Sequence, residues 1–533
     1  MIALTSANAQ GPMEETARKN VVRAAYLQES GDSEGDAAKH FEQAVRLQNS
    51  GDLDGAISEY RSALRLNPNL VGAHNNLGVA LKRKGDLEGA IAEYRAALSL
   101  KPDNPNAHNN LGMALQAKGD TAGAITEYRS ALRLAPNTAR VHANLGTALQ
   151  AQGDTEGAIS EYRAALRLDS NDADTHAALG SALKAKGDLD GAIGEYRTAI
   201  QLDPNVAQTH LDLGAALREK GDVEGATGEF RAAIRLSPNS AAVHAALGSA
   251  LQAKRDVDGA IAEYRTVLRM APSDAGVHVL LGIALKDKGD LDGAIAEYRS
   301  ALRSDPNLAE AHYNLGLAIR GKGDLDGAIA EYRAALRINP NDALAHNNLG
   351  HALQDQGDLD GAISEYRSAV RADPGNALGH LNLGLALQLK DDLDAVISEF
   401  RTVIKLDPSR VDAHEAMGLA FRAKKDIAGA IEEYRLALRL DPDNATLHNN
   451  LGAALHRDKD LDGAISEFRS AVRIDPNDAK AHFNLGLTLM DQGKGEEAKK
   501  ELEIFLKLAS NTSADQKERS EAKKILDALQ ARK

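Results

Sequence analysis

Apolar side chains recur along this chain at helical spacing, and the helical segments themselves recur. Between 71 and 104, Ala73, Leu77, Ala80 and Leu81 stand at i, i+4, i+7 and i+8 and predict a helix over about Gly72–Lys84. Gly85-Asp86 breaks the pattern, and Asp86 suits the N-cap of a second helix over Leu87–Leu100. Glu88 lies near the positive end of that helix and Arg95 toward the negative end, as the helix dipole favours. Its apolar stripe is Ala90, Ile91, Tyr94, Ala97 and Leu98, and Pro102 stops the chain from continuing as a helix.

The pair of helices is a repeated unit. His40, His74, His108 and their successors as far as His482 follow one another every 34 residues, and they account for fourteen of the sixteen histidines. With His74 as position 4, fourteen repeats fill 37–512 without insertion or deletion. Position 8 is glycine in thirteen repeats, position 20 alanine in thirteen, position 24 Tyr or Phe in thirteen and position 32 proline in twelve. Small residues such as Gly78, Ala90 and Ala97 let helix axes approach to about 8–10 Å, and Tyr94 fills the space that remains. No repeat can cover its own apolar face, so each must stack on its neighbours.

These positions resemble the tetratricopeptide repeat family, in the period and in Leu77-Gly78, Ala90, Tyr94, Ala97 and Pro102. Two departures keep bulky packing residues: His at position 4, where the family often has Trp, and Leu81 at position 11, where it often has Tyr. The resemblance implies an all-α fold, an α-solenoid built as a right-handed superhelix of helix-turn-helix repeats. It also implies a groove lined by the first helices, with positions 2, 5, 6, 9, 12 and 13 facing the concave side. Around the repeats of 37–512, residues 13–36 predict an N-terminal helix (13–29) and a loop (Gly31–Asp36). Residues 513–533 predict a C-terminal cap helix with the thin stripe Ala522, Ile525, Leu526 and Leu529. Residues 1–12 read either as a disordered tail or as the remnant of a signal peptide, since Ala7-Asn8-Ala9 fits a cleavage site but lacks a charged segment before it. The chain as written is cytoplasmic on the first reading, and periplasmic or secreted on the second.

Composition narrows the function. There is no cysteine among the 533 residues, which excludes disulfides, iron–sulfur clusters and thiol catalysis. A net charge of −14 argues against nucleic acid as a partner, and no apolar run reaches the roughly 18 residues of a membrane helix. Gly316–Gly323 imitates a phosphate-binding loop but carries Gly323 where Ser or Thr should hold magnesium. Asp458, Asp460, Asp462 and Gly463 imitate the start of a calcium loop, whose bidentate Glu is replaced by Arg469. Histidines on neighbouring repeats stand at least about 8–10 Å apart, too far for one zinc, whose ligand nitrogens lie within about 4 Å of each other. No catalytic residue, metal or cofactor is therefore expected. The histidines read as packing residues; a collective response to pH, with stability falling as pH drops from about 7.5 to 5.5, is the second expectation.

The groove carries the functional signal. Position 6 is asparagine in eight repeats: Asn76, Asn110, Asn144, Asn314, Asn348, Asn382, Asn450 and Asn484. An amide both donates and accepts, so a row of them can bond an extended peptide backbone without reading its side chains. The row is similar to the asparagine ladder of O-GlcNAc transferase. Ala178, Asp212, Ala246 and Leu280 interrupt it in repeats 5 to 8, and Ala178, Ala246 and Leu280, with Leu211 and Val279 at position 5, predict an apolar middle to the groove. Position 5 is never Lys and position 9 never Asn, which argues against a chaperone-type carboxylate clamp. The expected function is a non-enzymatic scaffold or adaptor for protein or peptide segments. The alternatives are a substrate-recruiting subunit of a separate glycosyltransferase and an exported assembly factor.

Overall fold

The computed structural model describes residues 35–509 and 513–530, which form twenty-nine α-helices, with no strand among the described residues. The predicted helix over 13–29 lies outside them. The chain divides into two compact units, Met1–Met270 and Ala271–Lys533. The first holds seven helix pairs, from Gly35–Ser50 with Leu53–Leu66 to Ala241–Ala253 with Val257–Met270. The second holds seven more, from Ala275–Asp287 with Leu291–Ser304 to Ala479–Asp491 with Gly495–Leu508, and then the helix Ser513–Gln530. The observed helices Val71–Arg83 and Leu87–Leu100 match the expected bounds to within a residue. One expected loop is corrected: Gly35 and Asp36 already belong to a helix, where the Lys39 ammonium donates to Asp36 over 2.9 Å.

Each repeat is shaped by a few local rules. Gly85 takes φ +89°, a turn that a Cβ would strain, and the Asp86 carboxylate then accepts from the Gly89 amide over 2.8 Å, satisfying an otherwise orphaned donor. Gly78 lies directly under the Tyr94 ring; a Cβ there would stand 2.6 Å from the ring edge. Tyr94 is buried by this approach, and its counterparts Tyr60, Tyr128, Tyr162 and Tyr196 are buried in the same way. The core of each unit is thus a column of rings seated on glycines.

Curvature follows from which helices touch. Val71–Arg83 packs against both Gly35–Ser50 and Pro105–Lys118, so first helices of successive repeats meet one another. Second helices make no packing of that extent with each other among the described residues. In each unit, taken by itself, the first helices therefore line the inner side.

Candidate protein-binding face

Positions 2, 5, 6, 9, 12 and 13 of the first helices are those expected on the inner face. Because these helices lie side by side, position 6 of one repeat meets position 5 of the repeat before it. In the first unit, Asn110 Nδ2 donates to Asn75 Oδ1 and Asn144 Nδ2 donates to Asn109 Oδ1, each over 3.0 Å. Asn75 Nδ2 makes a longer bond of 3.4 Å to Asn76 Oδ1. In the second unit, Asn484 Nδ2 reaches Asn449 Oδ1 over 2.9 Å, and Asn450 Nδ2 reaches the Glu415 carboxylate over 3.2 Å.

Other amides of the row are engaged within the fold. Asn314 is buried, and its Nδ2 donates to the Glu310 carbonyl of its own helix over 3.0 Å. Asn348 spends Nδ2 on Tyr313 Oη (3.0 Å) and the Leu344 carbonyl (2.9 Å). Asn382 spends its own on Asn347 Oδ1 (2.8 Å) and His351 Nε2 (3.2 Å). The remaining position-6 asparagines are half-buried. The row is therefore first a set of staples between repeats. Asn110 and Asn144 each keep a carbonyl oxygen and a second N–H for another partner.

The apolar residues are also distributed differently. Ala178, Leu211 and Ala246 are half-buried in the first unit. In the second, Leu280 is half-buried and Val279 is buried in the packing, so it is not presented to a ligand. The exposed apolar side chains of this face are Leu344, Leu378, Leu385 and Leu389, on repeats 10 and 11 and between 43 % and 64 % accessible. They occupy positions 2, 9 and 13. Comparing positions 5 and 6 alone could not reveal them; the leucines at the other inner positions were the available signal.

Charge varies along the face. Lys82, Arg83 and Arg140 stand on repeats 2 and 4, and burial followed by the like charge of Arg140 holds the Lys82 ammonium below its usual pKa. Further along the first unit, burial raises the carboxyls of Asp174 and Asp212 above the usual carboxylate range.

The histidines carry a second repeated network. His74 Nδ1 bonds Glu93 over 2.5 Å, and its Nε2 bonds the Pro68 carbonyl of the preceding connector over 3.0 Å. With an acceptor on each side, both ring nitrogens donate, which is the imidazolium arrangement. The Glu93 bond is the main cause of a raised pKa at His74. The geometry recurs in both units, for example at His108 with Glu127 and Pro102, and at His346 with Glu365 and Pro340. A packing role fits this network. At His74 the expected loss of stability at low pH does not, because protonation there completes the bonds.

Among the described residues, no group of three or more His, Asp or Glu side chains could hold a metal ion. No described helix is long and apolar enough to cross a membrane.

Comparison with known proteins decides the family. Profiles described as tetratricopeptide repeat match residues 109–173, 245–309, 279–343, 347–411 and 479–512. A profile described as TPR repeat matches 48–85, 80–119, 180–221, 418–459 and 458–493. The chain belongs to the tetratricopeptide repeat family. Its inner face is therefore the groove of a tetratricopeptide array, and such arrays generally mediate protein–protein interactions. Similar solved structures include MamA, at 29 % identity, covering 31 % of this chain and 96 % of that one with a TM-score of 0.30. The pilF protein of Pseudomonas aeruginosa is 25 % identical, covering 39 % and 94 % with a TM-score of 0.35. YrrB, described as a TPR protein with an unusual peptide-binding site, is 24 % identical, covering 37 % and 97 % with a TM-score of 0.32. No curated protein matches the chain.

Proposed function

We propose that this tetratricopeptide repeat protein is a non-enzymatic adaptor that holds an extended segment of another protein along the inner face of its first unit. The supporting observation is the state of Asn110 and Asn144. Each is fixed by one bond to the preceding repeat and retains one donor and one acceptor. That is the pair of groups an extended backbone needs, held in place before binding. Asn314 is buried, and Asn348 and Asn382 spend both amide N–H groups within the fold, so these three serve as the contrast.

Affinity capture with three baits tests this: the intact chain, the double variant Asn110→Ala/Asn144→Ala, and Asn314→Ala. Unfolding midpoints are measured on each so that loss of fold is seen separately. Each lost amide bond to a ligand costs about 1 kcal/mol, roughly fivefold in affinity. The double variant should lose a partner that the intact chain and Asn314→Ala both retain. A partner held equally by all three baits would move recognition off this part of the face.

A further inference from the structure

Lysines in the first unit are usually paired from one repeat to the next. In the first unit Lys118 bonds Glu88 over 2.5 Å and Lys186 bonds Glu156 over 2.7 Å, while Lys84, Lys220 and Lys254 bond Asp54, Asp190 and Glu224. The cations at position 12 of repeats 5 and 6 are also answered: Lys184 has Glu219 at 3.7 Å, and Arg218 donates to Ser249 Oγ over 2.8 Å. Lys82, at the same position of repeat 2, is half-buried and has no carboxylate partner among the described residues. The charge it senses is another cation, Arg140, two repeats further on. Arg140 and Arg83 likewise form no ion pair among the described residues.

The inner positions of repeats 2 to 4 thus carry three cations, Lys82, Arg83 and Arg140, and no acidic residue, in a chain whose net charge is −14. The stretch is bounded by Glu42 on repeat 1 and Asp174 on repeat 5. A partly desolvated ammonium beside a like charge is unfavourable unless a counter-charge reaches it. The two open amides, Asn110 and Asn144, lie on the same repeats.

We propose that the inner face of repeats 2 to 4 binds an acidic extended peptide segment, with a carboxylate between Lys82 and Arg140 and the backbone along Asn110 and Asn144. This rests on the adaptor reading above and specifies its partner. A peptide fits better than nucleic acid, because no aromatic residue stands at these inner positions to stack a base.

The test is fluorescence anisotropy on the full chain with labelled twelve-residue probes: alternating Glu-Ser, its Gln-Ser and Lys-Ser counterparts, and a single-stranded oligonucleotide of equal length. The Glu probe should bind at least about tenfold more tightly than the Gln probe and weaken as salt is added. Lys82→Gln/Arg140→Gln should lose that preference, whereas Lys84→Gln/Lys118→Gln, which alters only paired lysines, should keep it. Lys82→Glu/Arg140→Glu should turn the preference to the Lys probe, a gain that misfolding cannot produce. Equal binding of the Glu and Gln probes would overturn the acidic specificity and leave the adaptor reading standing. So would unchanged binding of the Glu probe by the Gln double variant, or preference for the oligonucleotide. Absence of binding by every peptide would overturn both.

Discussion

Glycines here do three different jobs, and substitutions should separate them. Gly112 carries the Tyr128 ring, and a Cβ would sit 2.7 Å from it with no flexible side chain to yield. Gly112→Ala should destabilise the first unit by about 1–3 kcal/mol, the usual cost of overpacking, measured as a lower urea midpoint. Gly194 and Gly228 lie mid-helix, exposed, with nothing within 4 Å of a new Cβ. There alanine should stabilise by about 0.5–1 kcal/mol, because it restricts the unfolded chain. The third job is the positive-φ turn between the helices of a repeat. Arg255 and Lys459 occupy it at φ 62° and 67°, where ten other repeats have glycine. Arg255→Gly and Lys459→Gly should each raise stability by roughly 1 kcal/mol, the cost of a left-handed conformation for a residue with a Cβ. If all of these changes had the same sign, the account of steric and conformational roles would fail.

At the scale of the helix pair, the His–Glu–carbonyl chain ties three elements together: the first helix, the second helix and the connector from the preceding repeat. His74 has its pKa raised above 6.5 in the fold, chiefly by the Glu93 bond. Its contribution is therefore fully present below the unfolded value and is lost as pH rises through the folded one. The charged group facing it is Glu93 on the second helix, and the connector presents the neutral Pro68 carbonyl. Urea unfolding at pH values on either side of that window should show lower stability on the alkaline side. Glu93→Gln should reduce the difference; an unchanged or inverted pH slope would contradict the imidazolium arrangement. The helices themselves were legible from sequence because their determinants are local: Asp86 as cap, Gly85 as turn, Pro102 as stop. The inner face was less so. Whether Asn110 meets Asn75, or Val279 turns into the packing, depends on how one repeat rotates against the next, and the pattern within a single repeat does not carry that angle. The partner of His74 was hidden for a different reason: Glu93 belongs to the same repeat but lies nineteen residues away on its second helix, so their meeting depends on how the two helices of the pair pack.

In a stack where each repeat touches its neighbours, an end must be closed by something that does not repeat. The helix Ser513–Gln530 closes the second unit. Its Ala522 and Leu526 are buried with Phe483, Leu502 and Phe505 of the last repeat. Arg519 adds a cap, donating from Nη1 to the Ala509 carbonyl over 2.7 Å and to the Leu506 carbonyl over 3.2 Å, at the negative end of Gly495–Leu508. A chain ending at residue 512 would uncover part of Leu502 and Phe505, at up to about 1.5–3 kcal/mol for each side chain. Because coupling passes only from neighbour to neighbour, the loss should stay local. Hydrogen exchange followed by mass spectrometry should show faster exchange in Ala479–Asp491 and Gly495–Leu508, a fading effect on the repeats before them, and no change in the first unit. Arg519→Ala should act in the same place and direction, with smaller amplitude. Uniform loss of protection along the chain would mean that the array unfolds as one cooperative body, and the neighbour-to-neighbour description would have to be abandoned.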